Sequence, residues 1–212
     1  GFSAKSLLQL SQKQAIARAA ATRVTPGSAI GISAGTTAAL QMALRHPSRV
    51  RRLVVLSGNL PGDPNAVAPP AWARLFYTDL AMWAMKRFAR PQIARLMGVP
   101  AGFPRDDAQT RVVGEFLDSI FPMAPRKAGG IFDAYVSNPS VNDCPLEQLS
   151  VPTLLLHVRD DPLCAFTAAE QAAERIPGCV FIALDSGGHL GLGQTERTRA
   201  ELDRFLVAPV VV

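Results

Sequence analysis

Ser33 lies at the centre of Gly31-Ile32-Ser33-Ala34-Gly35, a G-x-S-x-G pentapeptide. A serine hydroxyl is a weak nucleophile near neutral pH and needs a general base in hydrogen-bond reach, with an acid to orient that base. Three fixed positions of common residues recur by chance in roughly one chain of this size in fifteen, so the pentapeptide gains meaning only from its placement. His46 follows an alanine-rich stretch and precedes Pro47, the setting of a helix-capping imidazole. His157 lies inside an apolar run and reads as a core histidine. His189 follows Asp185-Ser186-Gly187-Gly188 and precedes Leu190-Gly191-Leu192-Gly193; a mobile base on a glycine-rich loop suits proton transfer. Asp160 and Asp161 directly follow another apolar run, where Asp-Asp-Pro is also ordinary turn chemistry.

These residues need elements to hold them. The apolar run Ser28 to Ile32 reads as a buried strand, Ala34 to Arg45 as a helix, and Val50 to Leu56 as a second strand. Ser33 then occupies a strand-to-helix turn, where side chains two positions either side must be small and where the helix N-terminus favours an oxyanion. After Leu149 the alternation resumes: a strand over Val151 to Val158, a helix over Phe166 to Arg175, a strand over Cys179 to Leu184, and a final helix from Thr195 to Leu206. A further helix is expected over Ser6 to Thr22. Strands alternating with helices predict an α/β fold with a mostly parallel sheet, and its carboxyl edge would carry Ser33, the aspartates and His189.

Ser57 to Gln148 differs: Pro and Gly interrupt it repeatedly, which predicts short helices. Trp72, Phe76, Leu80 and Trp83 fall at helical spacing, so one apolar helical face is expected. Trp72, Phe76, Met82, Met85 and Phe121 are candidates both for packing and for lining a substrate pocket.

The chain has 212 residues, 48% of them hydrophobic, enough for one substantial core. Lys and Arg outnumber Asp and Glu by 22 to 17, for a net charge of +5. The basic residues are dispersed and no nucleic-acid-binding signature accompanies them, so no nucleic-acid partner is expected. Cys144, Cys164 and Cys179 are odd in number and lack metal spacing, so neither disulfides, nor a metal, nor a cofactor is expected, and reduced thiols fit the cytoplasm. No apolar run approaches the roughly 20 residues of a membrane helix.

GISAG with RHPSRVRRLVVLSG resembles the nucleophile elbow, helix and next strand of the α/β-hydrolase family, especially bacterial esterases, haloperoxidase-like proteins and C-C hydrolases. VPTLLLHVRDDPLC resembles that family's acid-bearing strand, and SGGHLGLG its histidine loop. The chain order serine, aspartate, histidine is also the family's. The resemblance implies Ser33 as nucleophile, His189 as base, Asp161 as acid with Asp160 as the alternative, and the Ala34 N–H as one oxyanion donor. It implies a hydrolase core over 1–57 and 149–212 with a helical cap insertion over 58–148. The expected activity is cleavage of a small apolar ester or related acyl bond, possible C-C bonds included, through an acyl-enzyme. A serine at the elbow argues against haloalkane dehalogenation, which uses an aspartate there. The alternatives are a hydrolase-like binding protein with a vestigial triad and a piece of a parent enzyme without activity of its own. The family's first strands and the loop giving the second oxyanion donor have no counterpart ahead of Ser33, and Gly1-Phe2-Ser3 resembles the end of a loop before the elbow. An N-terminal truncation of roughly 60 to 90 residues is therefore expected, which leaves a leader peptide and the oligomeric state open.

Overall fold

The structure, a computed structural model, describes residues 27–207. The helix expected over Ser6 to Thr22 and the loop resemblance of Gly1-Phe2-Ser3 lie outside the described residues. Four parallel strands form one sheet in the order β1 (Ser28–Ile32), β2 (Arg52–Leu56), β3 (Thr153–Val158) and β4 (Val180–Leu184). Every residue of β2 and β3 is buried. This is why they read as unbroken apolar runs rather than alternating ones: helices cover both faces of a parallel sheet.

One face receives α1 (Gly35–Arg45) and α6 (Phe166–Arg175). Leu40, Ala43, Ala169 and Ala172 pack there against Leu53, Val55 and Leu155. The opposite face receives α7 (Thr195–Val207), whose Leu202 and Leu206 meet Val54, Leu56, Leu154, Leu156 and Leu184. Neighbouring residues of β2 thus divide between two cores, as the period-2 geometry of a strand requires. Each large side chain so buried contributes about 1.5–3 kcal/mol.

Between β2 and β3 the chain is helical. Its principal helices are α2 (Asp79–Phe88), α3 (Arg90–Leu96), α4 (Asp107–Ser119) and α5 (Lys127–Phe132), the last running through a π-helical turn to Ser140. Asp106 and Gln109 start α4 with a reciprocal capping box. The segment has a core of its own, built on Met82, Ile93, Ala94, Val99, Val113 and Leu117. Leu190 and Leu192, which closely follow His189, complete that core.

The single apolar face expected over Trp72 to Trp83 does not form. Trp72 and Phe76 sit on a 3-10 turn (Ala71–Phe76), and Thr78 then adopts an extended conformation and caps α2 by accepting from the Ala81 N–H. Threonine favours an N-cap over a helix interior, so a helical run through it breaks there. Leu80 is 75% exposed and Trp83 53%. Of the five candidate pocket side chains, Met82 lies in the segment's core, Phe76, Met85 and Phe121 pack against that core, and Trp72 is exposed.

Candidate active site

Ser33 directly follows β1 with φ +55°, a left-handed conformation rare for a residue with a side chain. Its N–H donates to the Leu56 carbonyl (3.2 Å) and its carbonyl accepts from the Thr36 N–H (3.0 Å), so the neighbouring strand and the first turn of α1 fix the elbow. A Cβ at Gly31 would come within 2.7 Å of the Thr36 Cα, which explains the first glycine of the pentapeptide. The second is different: a Cβ at Gly35 meets no described atom within 4 Å, so crowding among the described residues does not require it. Among the described residues no side chain caps the N-terminus of α1, and no acid lies in its first turn. Its positive end therefore faces the elbow with no acid of its own first turn to compete for it.

Ser57 repeats the strain next door. It follows β2 with φ +42°, and its N–H donates to the Leu156 carbonyl (2.9 Å). A Cβ at Gly58 would overlap the buried Thr36 hydroxyl, so the chain leaving β2 runs tight against the first turn of α1. Nothing in the Ser-Gly pair distinguishes this turn from a loop at the level of sequence.

Asp161 lies just beyond β3 with its side chain fully buried. One carboxylate oxygen accepts from the N–H groups of Leu163 (2.9 Å) and Cys164 (3.1 Å), and the other faces His189 Nδ1 at 2.8 Å. Burial works against the charged form. The hydrogen bond and charge of His189, with the two amides, outweigh it and hold the carboxyl below the usual carboxylate range. The loop carrying Asp161 is tied to the segment after β2: the Cys164 thiol donates to Asn59 Oδ1 (2.7 Å), and Asp63 accepts from the Ala165 N–H (2.9 Å).

His189 is 5% exposed, and its Nε2 stands 2.7 Å from Ser33 Oγ. A carboxylate can only accept, so Nδ1 carries the proton donated to Asp161. Nε2 is then left to accept from the serine hydroxyl. The structure thus brings Ser33, His189 and Asp161 into one hydrogen-bonded series. The other histidines lie elsewhere. His46 ends α1 and is exposed, its N–H donating to the Met42 carbonyl. His157 is buried in β3, its Nε2 donating to the Cys164 carbonyl (3.0 Å) with Asp161 3.8 Å away.

All three cysteines are free thiols. Burial pushes Cys179 up to about 11 and also raises Cys144, which keeps both as poorly nucleophilic thiols at neutral pH. Asp161, Cys164 and His189 offer ligand atoms within 4.8 Å of one another. A cation there would compete with the Asp161–His189 hydrogen bond, so the same atoms cannot serve both arrangements at once. No helix among the described residues is long and apolar enough to cross a membrane.

Sequence reasoning had no means of finding Gly98. It follows α3 with φ +86°, and its carbonyl accepts the His189 N–H at 2.9 Å. A Cβ there would fall 2.2 Å from the His189 Cβ and 3.1 Å from Leu163 Cδ1. Gly98→Ala is therefore expected to push the imidazole off Ser33, and if His189 serves as a base, a displacement of roughly 1 Å would lower turnover about 100-fold. Steady-state kinetics with a thermal melt checks this, and wild-type turnover in a folded variant would refute it.

Comparison with known proteins agrees with the fold. A family model described as alpha/beta hydrolase fold matches residues 19–194. The pimeloyl-[acyl-carrier protein] methyl ester esterase of Aromatoleum aromaticum is 27% identical over 164 residues, a match covering 75% of this chain and 65% of that protein. RutD of Caulobacter sp. (strain K31) is 25% identical over 175 residues, covering 76% of this chain and 57% of that one. The chain thus spans less than two thirds of either relative. Among solved structures, the enol-lactonase from Burkholderia xenovorans LB400 superposes with a TM-score of 0.62 at 17% identity, over 94% of this chain and 74% of that one. At that identity the likeness concerns the fold alone.

Proposed function

This chain belongs to the alpha/beta hydrolase fold family, and on that premise we propose that it hydrolyses carboxylic esters through a covalent acyl-enzyme on Ser33. The observation that carries the reading is the pair of distances at His189: 2.7 Å from Nε2 to the serine oxygen and 2.8 Å from Nδ1 to the Asp161 carboxylate. As Ser33 Oγ attacks the acyl carbon, its proton passes to Nε2, and Asp161 stabilises the imidazolium. The developing oxyanion meets the Ala34 N–H at the positive end of α1. Collapse of the tetrahedral intermediate expels the alcohol, which takes the proton from His189. Water, deprotonated by the same nitrogen, then frees the acid and restores Ser33.

Ester cleavage is favoured as the reaction class because the relative from Aromatoleum aromaticum is named as a methyl ester esterase. That the acyl group is small and apolar is read from the aromatic and methionine side chains of residues 58–148. We read residues 58–148 as a cap over the site, a reading supported by the contact of Gly98 with His189 and the burial of Leu190 and Leu192 in the insertion's core. The test is exposure to a fluorophosphonate probe followed by peptide mass analysis. A single adduct on the peptide containing Ser33 is expected, and a folded protein left unlabelled, or labelled elsewhere, would overturn the reading.

A further inference from the structure

The acid that sequence reasoning left as the alternative to Asp161 has a separate place in the structure. Asp160 Oδ1 accepts from the Gly188 N–H at 2.8 Å, and Oδ2 accepts from the Gly187 N–H at 3.3 Å. Both glycines take positive φ, +126° for Gly187 and +60° for Gly188, and they lead directly into His189. The same turn is pressed from the other side by the insertion. A Cβ at Gly188 would lie 2.4 Å from both the Gly98 carbonyl and Pro100 Cδ. Two consecutive amides converging on one carboxylate form a charge-assisted clamp, which fixes backbone direction more tightly than neutral hydrogen bonds would.

We infer that Asp160 is a positioning residue for His189, its carboxylate setting where the backbone delivers the imidazole while Asp161 sets how the ring is turned. The inference rests on the serine-hydrolase reading above. It follows from geometry: the ring meets Ser33 at 2.7 Å, and the clamped N–H groups belong to the two residues immediately before it. With the acceptor removed, the turn keeps the bonds of its carbonyls to the Gly191 and Leu192 N–H groups and of the His189 N–H to Gly98, but it loses its tie to the end of β3, and two glycines give the backbone room to shift the base on a scale that matters for proton transfer.

The test compares Asp160→Ala, Asp160→Asn and Asp160→Glu with the wild type by ester kinetics, together with amide hydrogen exchange at Gly187 and Gly188. Asp160→Ala is expected to lower kcat about 10- to 100-fold with KM changed less than about threefold, and to speed exchange at Gly188. Asp160→Asn keeps one carbonyl oxygen for the shorter bond and should recover most of kcat. Asp160→Glu keeps the charge but moves the acceptor, so it should remain impaired, and it carries the test should the alanine variant fail to fold. Wild-type kcat in a folded Asp160→Ala or Asp160→Glu protein would overturn the inference, as would equal losses in the alanine and asparagine variants. Failure of the underlying reading shows differently: Ser33 would go unlabelled in the wild type, while exchange at Gly188 would still respond to Asp160.

Discussion

Ser33→Ala is expected to lower turnover of a short-chain nitrophenyl ester by about 10⁴-fold or more, and His189→Ala to do the same. The alanine at 33 removes one oxygen and leaves the elbow otherwise as it stands. The backbone bonds from Ser33 N–H to Leu56 and from the Thr36 N–H to the Ser33 carbonyl involve no side-chain atom, and the left-handed conformation costs alanine much what it costs serine. Thermal stability should therefore change little, which separates lost chemistry from lost folding. At His189 the imidazole is buried and bonded on both nitrogens. Its removal leaves the buried Asp161 carboxylate with the Leu163 and Cys164 N–H groups on one oxygen and without the imidazole on the other, and some destabilisation is expected beside the catalytic loss. Because the two groups act as one unit, the double variant should be little slower than either single one. Kinetics and melts on the three proteins check this, and a folded Ser33→Ala protein with more than about a tenth of wild-type turnover would refute the nucleophile assignment.

The parts of this molecule legible in its sequence are those decided locally. Ser28–Ile32 and Phe166–Arg175 fall where composition places them, since an apolar run ending at a glycine turn and a run of strong helix formers carry their own signals. Val50 to Leu56 and Val151 to Val158 read two residues long at the start, because pairing within the sheet begins only at Arg52 and Thr153. The apolar stripe from Trp72 to Trp83 misleads because spacing alone does not reveal that Thr78 prefers to cap. Around the site, residue type and placement singled out Ser33 and His189, and the family resemblance favoured Asp161 over Asp160. What holds them in place was hidden. Gly98 in the helical segment after β2 and Ser57 beside Ser33 become meaningful only once distant segments meet, and Asp160 reads as a turn residue until the Gly187-Gly188 turn is laid against it.

The substitution Asp161→Asn should cost about 10⁴-fold in kcat, far more than Asp160→Asn, and the hydrogen bonds around Asp161 give the reason. One oxygen of Asp161 accepts from two backbone N–H groups, those of Leu163 and Cys164. An asparagine must place its carbonyl oxygen there, because its NH₂ group would face two donors. The NH₂ is then forced toward His189 Nδ1, a position held by an acceptor in the wild type. A donor at that point requires Nδ1 to be unprotonated, so the neutral ring carries its proton on Nε2 and presents an N–H to Ser33 instead of a lone pair. The base is lost although every atom keeps nearly the same place. The same carboxylate leaves a mark on stability. Its pKa is lowered in the folded state, so its contribution is complete above the unfolded carboxylate value, about 3.9, and is lost as pH falls through the lower folded value. Asparagine has no such titration. The melting temperatures of wild type and Asp161→Asn should therefore lie furthest apart near neutral pH and converge below about pH 4. Kinetics at neutral pH with melts from pH 7 down to about pH 3 checks both halves. Wild-type turnover in Asp161→Asn would move the orienting role to another acid, and a stability gap that widened in acid would contradict the lowered pKa.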